Sequence, residues 1–403
     1  MFEKLELLPE DPVLGIPILF KKYPRPNKVN LSVGAYQDGE GRSYVLEAVK
    51  DAEEALSKQR LLKNYLPIEG DPEYIQLAAE LIFGVNANIQ GVGNETAPLS
   101  FFGAQTVGGT SALRIGGDLL KKSGTSCIAL SNPSWPNHTP LFEQIGLEVK
   151  EYPYYNDKTH QIEFSALLST LDKLPKGAAV LLHACCHNPT GMDFKFSQWQ
   201  ELCALIAKKA LIPFFDFAYQ GFSEGIEADA KAIRWFVEQR MEMLVASSFS
   251  KCMGLYGERA GFLGVLMKPS LKDQVASQIK RLIRSNYSNP PIHPGRIVST
   301  ILKDPNLKKE WERELTTMRE RIQCMREALA FGLAAKGAQR DFTFLTNQKG
   351  VFSYSGLTPV EVQRLRDEWG IYLLSNGRMN VAGLNSGNLD TVINAMIAVT
   401  NAQ

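Results

Sequence analysis

A lysine attacks a carbonyl only when its amine is neutral, and one segment of the chain offers the means: Ser247-Ser-Phe-Ser-Lys-Cys-Met-Gly-Leu-Tyr-Gly-Glu-Arg-Ala-Gly261. Lys251 follows a strand-like run, lies among small and hydroxyl residues, and has Arg259 eight positions on. Desolvation and a second cation both favour the neutral amine that Schiff-base chemistry requires. Taken alone, Lys251 also reads as a surface lysine in a loop. Asp216 is the second candidate, set in the apolar run Phe214-Phe-Asp-Phe-Ala-Tyr219. Burying a bare carboxylate is costly, so it must be paired or hydrogen-bonded. A structural ion pair or strand-end cap would satisfy it. So would a protonated ring nitrogen, which Asp216 would keep charged and its ring electron-poor.

Three more segments carry polar or small residues after strand-like runs. Gly108-Gly-Thr-Ser-Ala-Leu-Arg114 leads into a helical pattern whose free amide groups can hold a phosphate, although two glycines there also make a plain turn. Asn132-Pro-Ser-Trp-Pro-Asn-His138 offers Trp135 for stacking on a flat ring, or for packing on the core. His187-Asn-Pro-Thr-Gly191 places Asn188, both donor and acceptor, at a strand end, with turn chemistry as its other reading.

These residues need a frame that brings strand ends together. Runs at Ser126–Leu130, Ala178–His183, Pro213–Phe217 and Met243–Ser247 alternate with helical patterns, which predicts crossover units and a mostly parallel, helix-covered sheet. Ligands bind such sheets at the carboxyl ends of the strands. Ser197-Gln-Trp-Gln200 has the pattern of a capping box opening one helix, continued by Trp199, Leu202 and Leu205/Ile206. Beyond about residue 310 the chain turns to charged helical stretches, then a strand pattern at Gly350–Tyr354. The expected class is α/β, with 1–43 an N-terminal arm and part of a small domain, 44–315 a large domain, and 316–403 a smaller α+β C-terminal domain.

Bulk properties exclude several classes. The 403 residues balance 44 Lys and Arg against 43 Asp and Glu, so no global field holds a nucleic acid or an acidic membrane. Apolar runs such as Leu211–Phe215 are far too short to span a bilayer, and the N-terminal sequence lacks a signal-like pattern. Six cysteines form no CxxC pair, and Cys185 and Cys186 are adjacent. A soluble, cytoplasmic protein with reduced thiols and no metal site is expected.

Taken together, the segments resemble the aspartate aminotransferase family, the aspartate and aromatic branch of pyridoxal-phosphate enzymes. The likeness includes Asp11-Pro-Val-Leu-Gly15, Asn30-Leu-Ser-Val-Gly-Ala-Tyr36, Asn64-Tyr-Leu-Pro-Ile68, Ser248-Phe-Ser-Lys251, Ser285-Asn-Tyr-Ser-Asn-Pro-Pro291 and Gly377-Arg-Met-Asn-Val-Ala-Gly383. It implies that Lys251 holds pyridoxal 5'-phosphate as a Schiff base and Asp216 pairs with the ring nitrogen. It further implies that Tyr219 and Asn188 bond the ring oxygen, and that Trp135 stacks on the ring. Gly109, Thr110, Ser248 and Arg259 would surround the phosphate, joined by Tyr65 of a second subunit in a homodimer. For substrate, the resemblance assigns Arg378, Gly34 and Asn188 to the α-carboxylate, and Arg284, across the interface, to the distal one. Two positions depart from the pattern: Gly108 stands where some relatives have Ser, and Ser111 where Gly is usual. Altered phosphate contacts are the expected result.

The implied reaction moves an amino group between dicarboxylic amino acids and 2-oxo acids. An aminotransferase preferring aromatic amino acids would share every motif. A lyase or decarboxylase would not need Arg284, and a non-catalytic regulator would be expected to lack Lys251.

Overall fold

The computed structural model describes residues 1–7, 15–23, 28–92 and 96–401. Asp11–Leu14, part of the first matching segment, lie outside the described residues. The chain divides into two compact units, one of residues 44–320 and one of 1–43 with 321–403.

An eight-stranded sheet forms the centre of the larger unit. Its order is Ile89–Gln90, Leu99–Val107, Ala260–Met267, Met243–Ser248, Ile212–Phe217, Ala179–His183, Cys127–Asn132 and Glu148–Pro153. Every neighbouring pair is parallel except those of Ala260–Met267, which runs antiparallel to both its partners. The inner strands are buried along nearly their whole length, as expected of a sheet covered on both faces. In the register, Asp216 lies beside His183 on one side and Ala246 on the other.

Helix Gly108–Lys122 follows Leu99–Val107 without a linker. It buries Ala112, Leu113, Ile115, Leu119 and Leu120 against Phe142, Phe214, Leu244 and Leu263. Gly116 permits that closeness, because a Cβ there would fall 2.5 Å from Phe214 Cζ. Each fully buried aliphatic side chain of this face contributes about 1.5–3 kcal/mol, so the helix that opens at Gly108 is firmly seated. Helix Phe196–Lys209 starts earlier than the expected cap: Ser197 lies inside its first turn, and the Gln198 side chain accepts from the Lys195 N–H at 2.8 Å.

In the smaller unit, Phe352–Tyr354 pairs antiparallel with Arg378–Asn380, and Val29–Asn30 pairs parallel with Ile371–Tyr372. The first of these strands is shorter than the Gly350–Tyr354 pattern suggested. Helix Pro359–Trp369 has a complete capping box between Thr358 and Glu361 and ends on Gly370 at φ 67°. Among the described residues no helix is long and apolar enough to cross a membrane.

Candidate active site

The sheet's topology gathers the reactive side chains at one pocket in the larger unit. Lys251 enters from the turn after Met243–Ser248, with its Nζ 5.1 Å from the centre of the Tyr219 ring. Asp216 projects from the end of Ile212–Phe217, and Tyr219 follows it. Asn188 and Trp135 come from the segments after Ala179–His183 and Cys127–Asn132. Trp135 lines the pocket and also packs against the core.

Small and cationic groups form one wall. Gly109 and Thr110 occupy the first turn of Gly108–Lys122, and Ser248, Ser250 and Arg259 face the same space. Ser248 Oγ donates to Ser250 Oγ at 2.9 Å and accepts from the Ser250 N–H at 3.1 Å. Gly108 has φ +71°, and a Cβ on it would meet Arg259 Nη2 at 2.3 Å. The guanidinium therefore occupies space that a serine at this position would claim. Ser111 does not line the pocket and hydrogen-bonds the Tyr287 side chain. The helix N-terminus, the hydroxyls of Thr110, Ser248 and Ser250, and an arginine make a cup with the polarity that a phosphate needs.

The same pocket is lined by a carboxylate with imidazole neighbours. His138 is fully buried, with Nε2 3.0 Å from Asp216 Oδ2 and Nδ1 2.9 Å from Ser134 Oγ. Burial alone would raise the Asp216 carboxyl. The His138 hydrogen bond, with the nearby charges of His138 and Lys251, outweighs it and holds the group below the ordinary carboxylate range. Burial, helped by His138, lowers His183 to about 3, so this ring is neutral, and neither of its nitrogens has a hydrogen-bond partner among the described residues. Ligand atoms of His138, His183 and Asp216 all lie within 4.8 Å of one another, close enough to serve one cation. An ionised carboxylate at the floor of a pocket suits a protonated ring nitrogen.

The remaining candidates lie elsewhere. In the smaller unit Arg378 is buried, with its guanidinium 4.0 Å from the Phe352 ring centre and Nη2 donating to Ser32 O at 3.0 Å. Gly34 faces the same ring, where a Cβ would come 2.6 Å from Phe352 Cζ. Tyr65 is 92 % exposed and does not line the pocket of its own chain. Arg284 is also exposed at the end of Lys272–Asn286 and donates to Ser288 Oγ.

Residues 26–396 match the family of class I and II aminotransferases. Aspartate aminotransferase of Escherichia coli K12 is 46% identical over 401 residues, 99% of this chain and 100% of that protein. Its counterpart in Pseudomonas aeruginosa is 44% identical over 99% of both chains. An aromatic-amino-acid aminotransferase from Burkholderia pseudomallei, solved with pyridoxal phosphate covalently bound, is 46% identical with a TM-score of 0.95 over 99% of both chains. The chain belongs to the class I and II aminotransferases.

As a member of this family it is a pyridoxal-phosphate-dependent transaminase with the aspartate aminotransferase fold. The pocket's chemistry fits that cofactor: its lining includes a cup suited to a phosphate, an ionised carboxylate and a lysine amine. Sequence reasoning about this aminotransferase passed over His138, His183 and Ser250. His138 and His183 each end a quoted segment, yet only the strand order carries them to Asp216. A signal for Ser250 was its place next to Lys251.

Proposed function

We propose that this aminotransferase transfers the amino group of L-aspartate to 2-oxoglutarate, giving oxaloacetate and L-glutamate, with Lys251 as its catalytic amine. The convergence of Lys251, Asp216, Tyr219 and Asn188 on one pocket, in a chain 46% identical along its full length to an aspartate aminotransferase, carries the reading. Lys251 would hold pyridoxal phosphate covalently, Asp216 its ring nitrogen, Asn188 and Tyr219 its ring oxygen, and Trp135 its face. Gly109, Thr110, Ser248 and Arg259 would hold its phosphate. When bound, the cofactor supplies an electron-poor ring that takes up the electron pair left by the departing α-proton.

The chain's own residues do the rest. Arg378 would bind the substrate's α-carboxylate, since a planar guanidinium binds a carboxylate through two parallel hydrogen bonds. Lys251 Nζ would remove the substrate's α-proton as general base and later return a proton as general acid. Asp216, kept ionised by His138, stabilises positive charge at the ring nitrogen throughout. Trp135, which lines the pocket, would limit the approach of water to the ring.

Tyr65 and Arg284 would act across a homodimer, Tyr65 on the partner's phosphate and Arg284 on the distal carboxylate of the partner's substrate. Their exposure in the single chain agrees with this. A cytoplasmic setting agrees with six cysteines that form no disulfide.

A preference for aromatic amino acids is the second reading, favoured by the 46% identity to the Burkholderia pseudomallei enzyme. Incubating the purified protein with single amino acids, 2-oxoglutarate and pyridoxal phosphate separates the two. Aspartate should rank first by kcat/KM; a clear lead for tyrosine or phenylalanine would favour the second reading.

A further inference from the structure

Gln105 lies on the Leu99–Val107 strand, shortly before the phosphate cup, and is fully buried. It is bonded to two distant segments at once. Its backbone N–H donates to Glu69 O at 2.7 Å, and its Oε1 accepts from the Asp71 N–H at 3.2 Å. Toward the other segment, Nε2 donates to Pro291 O at 2.8 Å, and the backbone carbonyl accepts from the Tyr287 hydroxyl at 3.3 Å. That hydroxyl also engages the Ser111 side chain. Two glycines shape the slot. A Cβ on Gly70 would lie 2.4 Å from Gln105 Cβ, and one on Gly295 would lie 2.7 Å from Nε2.

A buried amide is costly unless both its ends are satisfied, and here each end is satisfied by a different segment. Those segments carry the two exposed side chains of interest. Tyr65 stands four residues before Glu69, and Arg284 stands three before Tyr287. We infer that Gln105 is a positioning residue for the groups this subunit gives to its partner: it sets the Tyr65 loop through Asp71 and the Arg284 segment through Pro291 and Tyr287. The inference rests on the reading of Tyr65 and Arg284 as cross-subunit donors. A purely structural glutamine would affect both sites of a dimer alike. A positioning one acts on the opposite site.

Hybrid dimers separate these outcomes. One subunit carries Lys251→Ala, so that only its partner's site turns over. Gln105→Glu loses the donor to Pro291 and keeps the acceptor for Asp71, whereas Gln105→Met loses both. On the Lys251→Ala subunit, Gln105→Glu should cut the aspartate-over-phenylalanine preference of the wild-type site about tenfold and leave cofactor dissociation unchanged. Gln105→Met there should also raise the cofactor dissociation constant of that site about tenfold, read from loss of visible absorbance on dilution. Placed instead on the subunit that keeps Lys251, either change should leave the aspartate preference intact. Equal loss in both arrangements, or no change in either readout, overturns the inference. Arg284→Leu on the Lys251→Ala subunit tests the underlying reading alone: if preference survives that change, Arg284 does not act across the interface. Tyr287→Phe, which keeps the ring and removes the hydroxyl, carries the preference measurement should the methionine variant not fold.

Discussion

Replacing Asp216 by alanine removes the one carboxylate at the floor of the pocket. Its side chain is only 12% exposed and its Oδ2 lies 3.0 Å from His138 Nε2, so water cannot readily take its place. Truncating one member of a buried, hydrogen-bonded charge pair costs about 2–5 kcal/mol. At about 1.4 kcal/mol per tenfold, and with charge at the ring nitrogen needed most when the α-proton leaves, kcat should fall roughly 30- to 4,000-fold. KM for aspartate should change little, because Arg378 and Arg284, proposed to bind the substrate's carboxylates, are untouched. Exchange of Cα deuterium from labelled aspartate into solvent isolates the affected step, with steady-state kinetics alongside. Near-normal exchange in Asp216→Ala would refute the reasoning and leave Asp216 as a structural carboxylate.

Other expected outcomes rest on different parts of the molecule. Arg284→Leu should lower kcat/KM for aspartate and glutamate by about 10²–10³ while phenylalanine changes little, since only the dicarboxylates lose a charge-assisted bond; equal losses would assign Arg284 to the fold or the interface. Because Asp216 has its carboxyl lowered in the folded chain, it contributes stability above the pKa of the unfolded residue, about 3.9, and that contribution is lost as pH falls through the folded value. His138→Leu should therefore weaken the cofactor-free protein more at pH 7 than at pH 3, measured as the urea midpoint at each pH; a pH-independent difference would contradict the pairing. Gly116→Leu should destabilise the larger unit by about 1–3 kcal/mol despite its better helix propensity, because its Cβ would lie 2.5 Å from Phe214 Cζ; an unchanged melting temperature would show that the helix can move off the sheet.

Much of the larger unit was legible because its inner strands are buried on both faces and read as unbroken apolar runs. Cys127–Asn132, Ala179–His183, Ile212–Phe217 and Met243–Ser248 begin and end within two residues of the expected positions. Leu99–Val107 and Ala260–Met267 were missed. Glycine interrupts both runs, and an apolar stretch without alternation does not distinguish strand from helix. The early start of Phe196–Lys209 has a similar cause: Gln198, and not a serine hydroxyl, meets the free N–H, so the residue type expected at the cap pointed two positions too far along. Residues at strand ends were found one strand at a time, which suffices for Lys251, Asp216 and Asn188. His138 and His183 were not, because their bearing on Asp216 depends on three strands lying side by side in an order that local pattern does not encode. Tyr65 and Arg284 came only from family resemblance, since an exposed side chain carries no local sign of a second subunit.

The central claim is that Lys251 is the amine that holds the cofactor and moves the proton. Borohydride reduction of the enzyme with pyridoxal phosphate bound fixes the cofactor to whichever lysine carries it, and peptide mass mapping then identifies that residue. The account predicts one modified site per chain, at Lys251, and none in Lys251→Ala. A modified peptide elsewhere in the wild-type chain, with Lys251 unlabelled, would contradict it.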